Sequence, residues 1–261
     1  ITRGLVVSAE GDSPLLGGYR TRLRQRLAND GRVVDMVGTQ SSGPDQLPDR
    51  DHEGHNGWRI EQFRVELDDW LPRYYPDIVL VLAGTNDVYW SDNLTIAPNR
   101  LVHLLDTIHT YAPNAQVMVG TIPPMWGSRN TDVQAFNAEV RRIIPPRTAS
   151  GARETLVDIN AVLNDNLLAD GVHPNPAGYD AMADAWYASI APLVARGCTP
   201  RPPVRMTVTR TAWGQLITVT PGYGVFTDLR FDRVSNASAF LRRSGLSLHH
   251  GLSTTGGGAD Q

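Results

Sequence analysis

The sequence predicts an α/β protein with three layers, a parallel β-sheet between two layers of helices, followed by a small β-rich extension. Two observations support this prediction. Short runs of β-branched and aliphatic residues alternate with longer stretches in which apolar residues recur every three or four positions. Strands and helices that alternate in this way form right-handed crossovers, which place the strands in one parallel sheet and the helices on both of its faces.

Five short runs are predicted to be the strands of the sheet. They lack the strict polar alternation of a strand with one exposed face, as expected of parallel strands covered on both sides. These runs are residues 4–8 (GLVVS), 33–38 (VVDMVG), 78–83 (IVLVLA), 117–121 (VMVGT) and 155–159 (TLVDI). Helices are predicted over residues 19–29, 58–74, 99–112, 132–144 and 177–195.

The pattern changes near Cys198, where frequent prolines indicate a stiff connector. Residues 206–211 and 216–220 alternate with a period of two on either side of a short turn, which predicts a β-hairpin, and residues 229–231 are a candidate third strand. The polar, glycine-rich run from residue 235 predicts a flexible tail. We therefore divide the chain into a main domain over residues 1–197 and an accessory segment over residues 198–261.

The composition excludes several kinds of chemistry. The chain has 261 residues, and all 24 of its basic side chains are arginine. Schiff-base enzymes, Ser-Lys dyads and phosphate-binding Walker loops all need a lysine, so none of these mechanisms is available. Because Cys198 is the single cysteine, the chain has neither an intramolecular disulfide nor a multi-cysteine metal site.

Charge and hydropathy limit the partners in the same way. The formal net charge is -3, and no basic or acidic block accompanies it, which argues against a nucleic-acid partner. No apolar run approaches the roughly 20 residues that a membrane-spanning helix requires. We therefore expect a small or neutral molecule as the partner; the sequence does not indicate an oligomeric state.

Polar segments follow four of the five predicted strands. In open α/β sheets ligands bind beyond the carboxyl ends of the strands, so these segments are the place to look for a functional site. They are residues 10–14 (EGDSP), 51–58 (DHEGHNGW), 84–87 (GTND) and 170–174 (DGVHP).

These segments contain the groups that acyl transfer requires. Ser13 is the candidate nucleophile and His173 the candidate general base. Asp170 precedes His173 by three residues and is expected to bond to the far ring nitrogen. The backbone N–H groups of Ser13 and Gly57 and the side-chain amide of Asn86 are the candidate oxyanion-hole donors.

Each motif taken alone also has a structural interpretation. Gly-Asp-Ser is a common turn sequence, Asp170 to Pro174 is compatible with a helix cap, and Asn86-Asp87 with an Asx turn. The ordered occurrence of all four motifs after strands favours the catalytic interpretation.

The segment His52-Glu53-Gly54-His55 suggests zinc at first sight. In metalloproteases, however, the two histidines are four residues apart on a helix, whereas here they are three apart in a glycine-containing loop. We therefore predict no metal site and expect this loop to shape the oxyanion donor at Gly57.

Four aromatic residues also follow predicted strands on this rim. Flat rings in such positions either stack on the faces of sugars or pin loops to the scaffold, and the sequence alone does not separate the two. The candidate substrate-binding residues are Trp58, Tyr89, Trp90 and Trp126.

The four polar segments together resemble the sequence blocks of the SGNH hydrolases, also called GDSL-type esterases. The resemblance extends over residues 1–196 and implies a flavodoxin-like catalytic domain that needs no cofactor. It implies that Ser13, Asp170 and His173 form a catalytic triad and that Ser13, Gly57 and Asn86 donate to the oxyanion. The matching blocks are Gly11-Asp12-Ser13, Gly57, Gly84-Thr85-Asn86-Asp87 and Asp170-Gly171-Val172-His173.

Longer segments are similar to one branch of that family. Residues 51–59 (DHEGHNGWR), 76–79 (PDIV) and 170–179 (DGVHPNPAGY) resemble the acetylxylan-esterase-like members, grouped as carbohydrate esterase family 3. The resemblance implies a serine esterase that removes acetyl groups from a carbohydrate such as acetylated xylan. A secreted, bacterial-type enzyme is the corresponding expectation, which the absence of a methionine before Ile1 also favours.

Two residues depart from the family pattern. Pro14 follows Ser13, which the first position of a helix tolerates well. Glu10 lies where an apolar residue is more usual, and a buried carboxylate there requires a partner or a raised pKa. Two alternatives therefore remain open: a broad short-chain arylesterase or lipase, and a carbohydrate-binding relative that no longer hydrolyses esters.

Overall fold

The computed structural model describes residues 2–8, 17–45, 47, 49–194, 205–211, 214–220 and 229–231. Ser13, Glu10 and Pro14 lie outside the described residues, as do Cys198 and the predicted tail. The chain separates into two compact units, Ile1–Thr199 and Pro200–Gln261.

The first unit is built on a mostly parallel sheet. Across the sheet, the strands follow the order β3-β4-β1-β5-β6-β7. Strand β2 pairs with residues 2–5 of β1, and β4 pairs with residues 7–8 along the same edge of β1. The pairing of β3 with β4 is antiparallel, and the other pairings are parallel. The strands are β1 Thr2–Ser8, β2 Val34–Val37, β3 Gln40–Ser41, β4 Asp51–Gly54, β5 Ile78–Leu82, β6 Gln116–Gly120 and β7 Glu154–Val157.

Helices cover both faces of this sheet. Val79, Val81 and Val117 pack against α2, α4 and α5 on one face, and Leu80 and Met118 pack against α1 and α6 on the other. Alternate residues of a strand point to opposite faces, which is why these runs are apolar throughout. The helices are α1 Gly18–Asn29, α2 Ile60–Tyr74, α3 Thr85–Tyr89, α4 Ala97–Tyr111, α5 Arg129–Ala149 and α6 Pro176–Ile190. The predicted three-layer α/β/α class is confirmed.

No helix in the described part of the chain is long and apolar enough to cross a membrane.

Several details differ from the sequence prediction, and the sheet has seven strands rather than the predicted five because Gln40–Ser41 and Asp51–Gly54 are strands as well. Asp51–Gly54 is a strand rather than part of a loop, because its buried polar side chains find hydrogen-bond partners. Thr85–Tyr89 is a short helix. Helix α5 continues through two prolines to Ala149, where Thr148 Oγ1 donates to the Glu154 carbonyl at 2.9 Å. Such tertiary contacts offset the cost of proline in a helix, about 3 kcal/mol.

The second unit contains an antiparallel sheet of three strands in the order β10-β9-β8. The strands are β8 Arg205–Thr211, β9 Gly214–Thr220 and β10 Leu229–Phe231. The predicted hairpin and third strand are therefore present.

Candidate active site

Asp170 and His173 form a closed turn between β7 and α6. Asp170 Oδ2 accepts a hydrogen bond from the Nδ1–H of His173 at 2.8 Å. Its other oxygen accepts from the backbone N–H groups of Val172 at 3.0 Å and His173 at 2.8 Å. With both carboxylate oxygens engaged, the imidazole is fixed in the tautomer that leaves Nε2 as the acceptor.

The neighbouring residues explain why the chain turns here. Gly171 has a φ of 88°, which L side chains rarely adopt, and a Cβ at this position would lie 2.8 Å from the Trp126 ring. Asn175 then begins α6, and its side chain accepts from the Gly178 N–H at 3.0 Å. The Asp170–His173 turn is therefore held between a packed indole and a capped helix.

The environment of Asp170 favours its ionised form. Partial burial opposes the charge, but hydrogen bonds from the backbone and ring of His173 and from the backbone of Val172 outweigh it. The pKa of Asp170 consequently lies below its ordinary value, so the carboxylate is charged wherever His173 works as a base. His173 itself is exposed at 57% of its side chain and is accessible to a substrate.

Gly57 lies in a tight turn after β4. The Trp58 N–H donates to the His55 carbonyl at 3.3 Å, and Gly57 between them has a φ of 79°. Among the described residues other than its chain neighbours, no atom lies within 4 Å of where its Cβ would be. Backbone conformation therefore selects glycine here, and a reacting group has room to approach.

Asn86 lies in α3 and contacts that turn directly. Its Nδ2 donates to the carbonyl of Trp58 at 3.0 Å. A carboxamide carries two N–H donors, so one can fix the Gly57 turn while the other serves an oxyanion. Just before α3, Gly84 has a φ of 125°, and a Cβ there would lie 2.6 Å from Phe136.

Asp87 belongs to the matched block 84–87, but no role of its own could be assigned to it from the sequence. Its side chain is fully buried; Oδ2 accepts from the Ile60 N–H at 3.0 Å and Oδ1 from Arg100 at 3.1 Å. Burial raises its pKa, against the effect of these hydrogen bonds. Asp87 thus ties the start of α2, just beyond Gly57, to the helix that carries Asn86.

His52 and His55 lie in different environments. The Gly54 N–H donates to His52 Nδ1 at 2.8 Å, so the proton of neutral His52 is on Nε2, which faces Ser42 Oγ at 2.8 Å. Burial, followed by the charges of Arg20 and His55, lowers the pKa of His52 to about 3. His52 is therefore a donor to Ser42 and not its base. Within the described ranges no group of His, Cys, Asp and Glu residues is arranged to hold a metal ion.

The four aromatic candidates differ in exposure. Trp90 and Trp126 are 66% and 50% exposed. Trp58 stacks on His55 with ring centroids 3.9 Å apart, and Tyr89 lies under the guanidinium of Arg129 at 4.6 Å. Trp90 and Trp126 therefore offer the larger free ring surfaces.

The structure thus brings Gly57 together with Asn86, and Asp170 together with His173, after strands whose carboxyl ends share one rim. Asp87 and Glu53 support this rim and were missed, because only tertiary contacts reveal their role. Ser13 belongs to the loop outside the described residues, and its place in the triad stays a prediction.

A three-layer α/β/α fold with an Asp-His pair on the carboxyl rim of its sheet defines a class of hydrolases that act through an activated nucleophile. The model of the GDSL-like lipase/acylhydrolase family matches residues 1–181, and the chain belongs to this family. The resemblance drawn from the sequence blocks is confirmed.

Individual relatives agree with this placement. The chain is 30% identical over 203 residues to a multidomain esterase of Ruminococcus flavefaciens, a match that covers 67% of this chain and 26% of that protein. The chain thus spans about a quarter of that esterase.

Solved structures show the same fold. A family 3 carbohydrate esterase of Clostridium thermocellum superposes with a TM-score of 0.67 at 30% identity, covering 74% of this chain and 96% of that one. A family 3 carbohydrate esterase from Talaromyces cellulolyticus gives a TM-score of 0.66 at 23% identity, covering 74% and 98%, which is a likeness of fold.

Proposed function

We propose that this protein is a serine esterase that hydrolyses short-chain esters, chiefly acetyl esters carried by a carbohydrate. The observation that carries the proposal is the Asp170–His173 pair, in which the bond from Nδ1–H to Asp170 holds the ring in the tautomer whose Nε2 can accept a proton. Membership of the GDSL-like lipase/acylhydrolase family supports the reaction class.

In the proposed reaction, Ser13 Oγ attacks the ester carbonyl carbon while its proton passes to His173 Nε2. The tetrahedral intermediate then collapses, the carbon–oxygen bond to the alcohol breaks, and His173 protonates the departing oxygen. Water attacks the acyl-enzyme by the same route, and the carboxylic acid leaves with Ser13 restored. Asp170 stays ionised and stabilises the imidazolium that forms in both halves.

The oxyanion of each intermediate is proposed to accept from the backbone N–H groups of Ser13 and Gly57 and from Asn86 Nδ2. Donors of this kind are effective because they are already oriented before charge develops, and losing one costs about 10²–10³ in kcat. The Asn86–Trp58 and Asp87–Ile60 hydrogen bonds support such orientation by holding the Gly57 turn from one side.

A carbohydrate as the alcohol part of the ester is supported by the exposed indoles and by the relatives. Trp126 packs against Gly171 in the Asp170–His173 turn, and a flat ring beside the turn that carries the base suits a sugar face. Trp90 offers a second surface, and Trp58 and Tyr89 contribute partly buried ring edges. Two of the similar structures are family 3 carbohydrate esterases.

The test is the variant Ser13→Ala, assayed with an aryl acetate and with a fluorophosphonate probe that labels activated serines. We expect wild type to be labelled at Ser13 and the variant to lose both labelling and turnover, with an unchanged thermal midpoint. Retained turnover in Ser13→Ala would rule out this nucleophile. Sugar binding by unlabelled wild type would instead favour a binding protein.

The substrate is tested by comparing acetate release from acetylated xylan with a series of aryl esters of increasing chain length. We expect release from xylan and a steep fall beyond short acyl chains. A preference for long chains would replace the carbohydrate proposal with a lipase.

A further inference from the structure

The tight turn His55–Trp58 that carries Gly57 is packed at its two ends but not in its middle. Gly57 and Asn56 are exposed, and in the described part of the chain no atom beyond the neighbouring residues lies within 4 Å of where a Gly57 Cβ would be. The orientation of the Gly57 N–H therefore depends on what holds the two ends of the turn. Asn86 bonds to the Trp58 end, and a different set of contacts holds the His55 end.

Four contacts fix His55. Its backbone N–H donates to the carbonyl of Ser8, the last residue of β1, at 3.1 Å. Its ring stacks on Trp58 at 3.9 Å and lies parallel to Trp70 at 5.2 Å. Its Nε2 lies 3.0 Å from Glu53 Oε2, and since a carboxylate only accepts, the imidazole donates.

Glu53 is a fully buried carboxylate at the base of this arrangement. Its side chain also accepts hydrogen bonds from the backbone N–H and the hydroxyl of Thr39, the latter at 2.7 Å. Among the described residues, His55 is the one ionisable group bonded to it. A buried carboxylate is costly to retain unless it is fully hydrogen-bonded, and an apolar side chain usually fills such a place equally well. This carboxylate instead sets the direction in which the His55 ring points.

We infer that Glu53 is a positioning residue for the oxyanion hole: through His55 it fixes the turn that presents the Gly57 N–H to the developing oxyanion. Glu53 touches no reacting atom. The inference rests on the proposed esterase function and adds to it a residue outside the four motifs of the family.

The chain contains a matched control. Glu154 is also fully buried, and His109 Nε2 lies 3.0 Å from its carboxylate, with Arg147 as a further partner. Glu154 begins β7, at the amino end of the sheet and opposite the rim that carries Asp170 and His173. A role limited to structure predicts similar behaviour for the two pairs, whereas a positioning role predicts a kinetic effect at Glu53 alone.

The experiment compares Glu53→Gln, His55→Phe, His55→Gln and Glu154→Gln in the full chain with an aryl acetate. Turnover is divided by the fraction of molecules that a fluorophosphonate labels after prolonged incubation, so that misfolded molecules are not counted. We expect kcat per labelled site to fall about 10–100-fold in Glu53→Gln and His55→Phe with KM within about twofold, because a misplacement near 1 Å costs about 10²-fold. His55→Gln, which keeps an N–H donor, should recover part of the loss.

We also expect the double variant Glu53→Gln/His55→Phe to be no slower than the slower single variant, since the two residues act as one unit. Glu154→Gln should lower the thermal midpoint and leave kcat per labelled site unchanged. A wild-type kcat in both Glu53→Gln and His55→Phe, or an equal fall in Glu154→Gln, would overturn the inference; if Glu53→Gln does not fold, the His55 variants decide it. Absence of Ser13-dependent turnover in wild type would instead refute the proposed function.

Discussion

At the scale of single residues, the Asp170–His173 pair and the Gly57–Asn86 pair of the candidate site come together in different ways. Asp170 and His173 belong to one turn, so a spacing of three residues was enough to predict their hydrogen bond. Gly57 and Asn86 meet only because β4 and β5 flank β1 in the sheet. Sequence order identified these two residues, but Glu53 has no motif of its own, and its role follows only from its burial and its bond to His55.

Asp170→Asn tests how the His173 tautomer is controlled. A carboxamide can offer its N–H to His173 Nδ1, which favours the tautomer with the proton on Nε2 and removes the base. We expect kcat for an aryl acetate to fall on the order of 10⁴-fold, as in other triads, with the fold intact. Asp165→Asn, in a nearby exposed residue, is the control and should keep wild-type kcat. A loss below about tenfold in Asp170→Asn would contradict the role of Asp170.

Gly57→Ala can be compared with Gly31→Ala, a matched control that separates the effect of backbone strain from an effect on catalysis. The two glycines have φ values of 79° and 70°, and for both the structure describes no atom, apart from the chain neighbours, within 4 Å of where a Cβ would be. We expect each alanine to lower the free energy of unfolding by about 1–2 kcal/mol. Only Gly57→Ala should also lower kcat, by at least about tenfold, because it shifts an oxyanion donor. Equal kinetics in the two variants would exclude Gly57 from the oxyanion hole.

At the scale of elements, the apolar strands and amphipathic helices were predictable because burial on both faces leaves a clear pattern. Strand β4 was not, since Asp51–Gly54 is polar and is stabilised by side-chain hydrogen bonds that a sequence does not display. Helix α3 was not predicted, because its first residues belong to a motif that is typical of a turn. The end of α5 was placed too early, because contacts with β7 override the prolines.

One ion pair ties several of these elements together beneath the rim. Asp158, just after β7, accepts from Arg141 of α5 at 2.8 and 2.9 Å and from Thr121 after β6 at 2.9 Å. The bond from Arg141, aided by the one from Thr121, outweighs partial burial and lowers the pKa of Asp158. The folded state therefore binds fewer protons here than the unfolded state does, so this stabilisation is complete above about pH 4 and is lost as the pH falls through the lowered pKa.

We accordingly expect Asp158→Asn to lower the free energy of unfolding by about 0.5–1 kcal/mol at pH 7, a value reduced for the solvent that reaches the pair. The difference from wild type should become smaller as the pH falls through the lowered pKa of Asp158, as chemical denaturation at pH 7 and at an acidic pH would reveal. Glu139→Gln, which removes the exposed pair with Arg142, should leave stability unchanged at both. If Asp158→Asn instead lowered the free energy of unfolding by the same amount at both pH values, packing rather than charge would explain the importance of Asp158.

At the scale of the whole molecule, both hydrophobic clusters that sandwich the parallel sheet lie within the first unit. Their described residues run from Val6 to Val194, and every located candidate site residue lies between those limits. The family match likewise ends at residue 181. The three-stranded sheet β8–β10 belongs to the second unit. The fold and the proposed chemistry therefore depend on the same part of the chain.

A chain truncated after Thr199 tests this separation. Because the truncation follows the boundary between the two units and keeps the whole family match, we expect cooperative thermal unfolding and a kcat for a soluble aryl acetate within about twofold of the full chain. Fluorophosphonate labelling of Ser13 should be complete in both forms. Modification of Cys198 with a thiol reagent in the full chain should likewise leave turnover intact, since no candidate site residue is near it in sequence. Aggregation of the truncated chain, or a folded but inactive one, would show that the second unit completes the first.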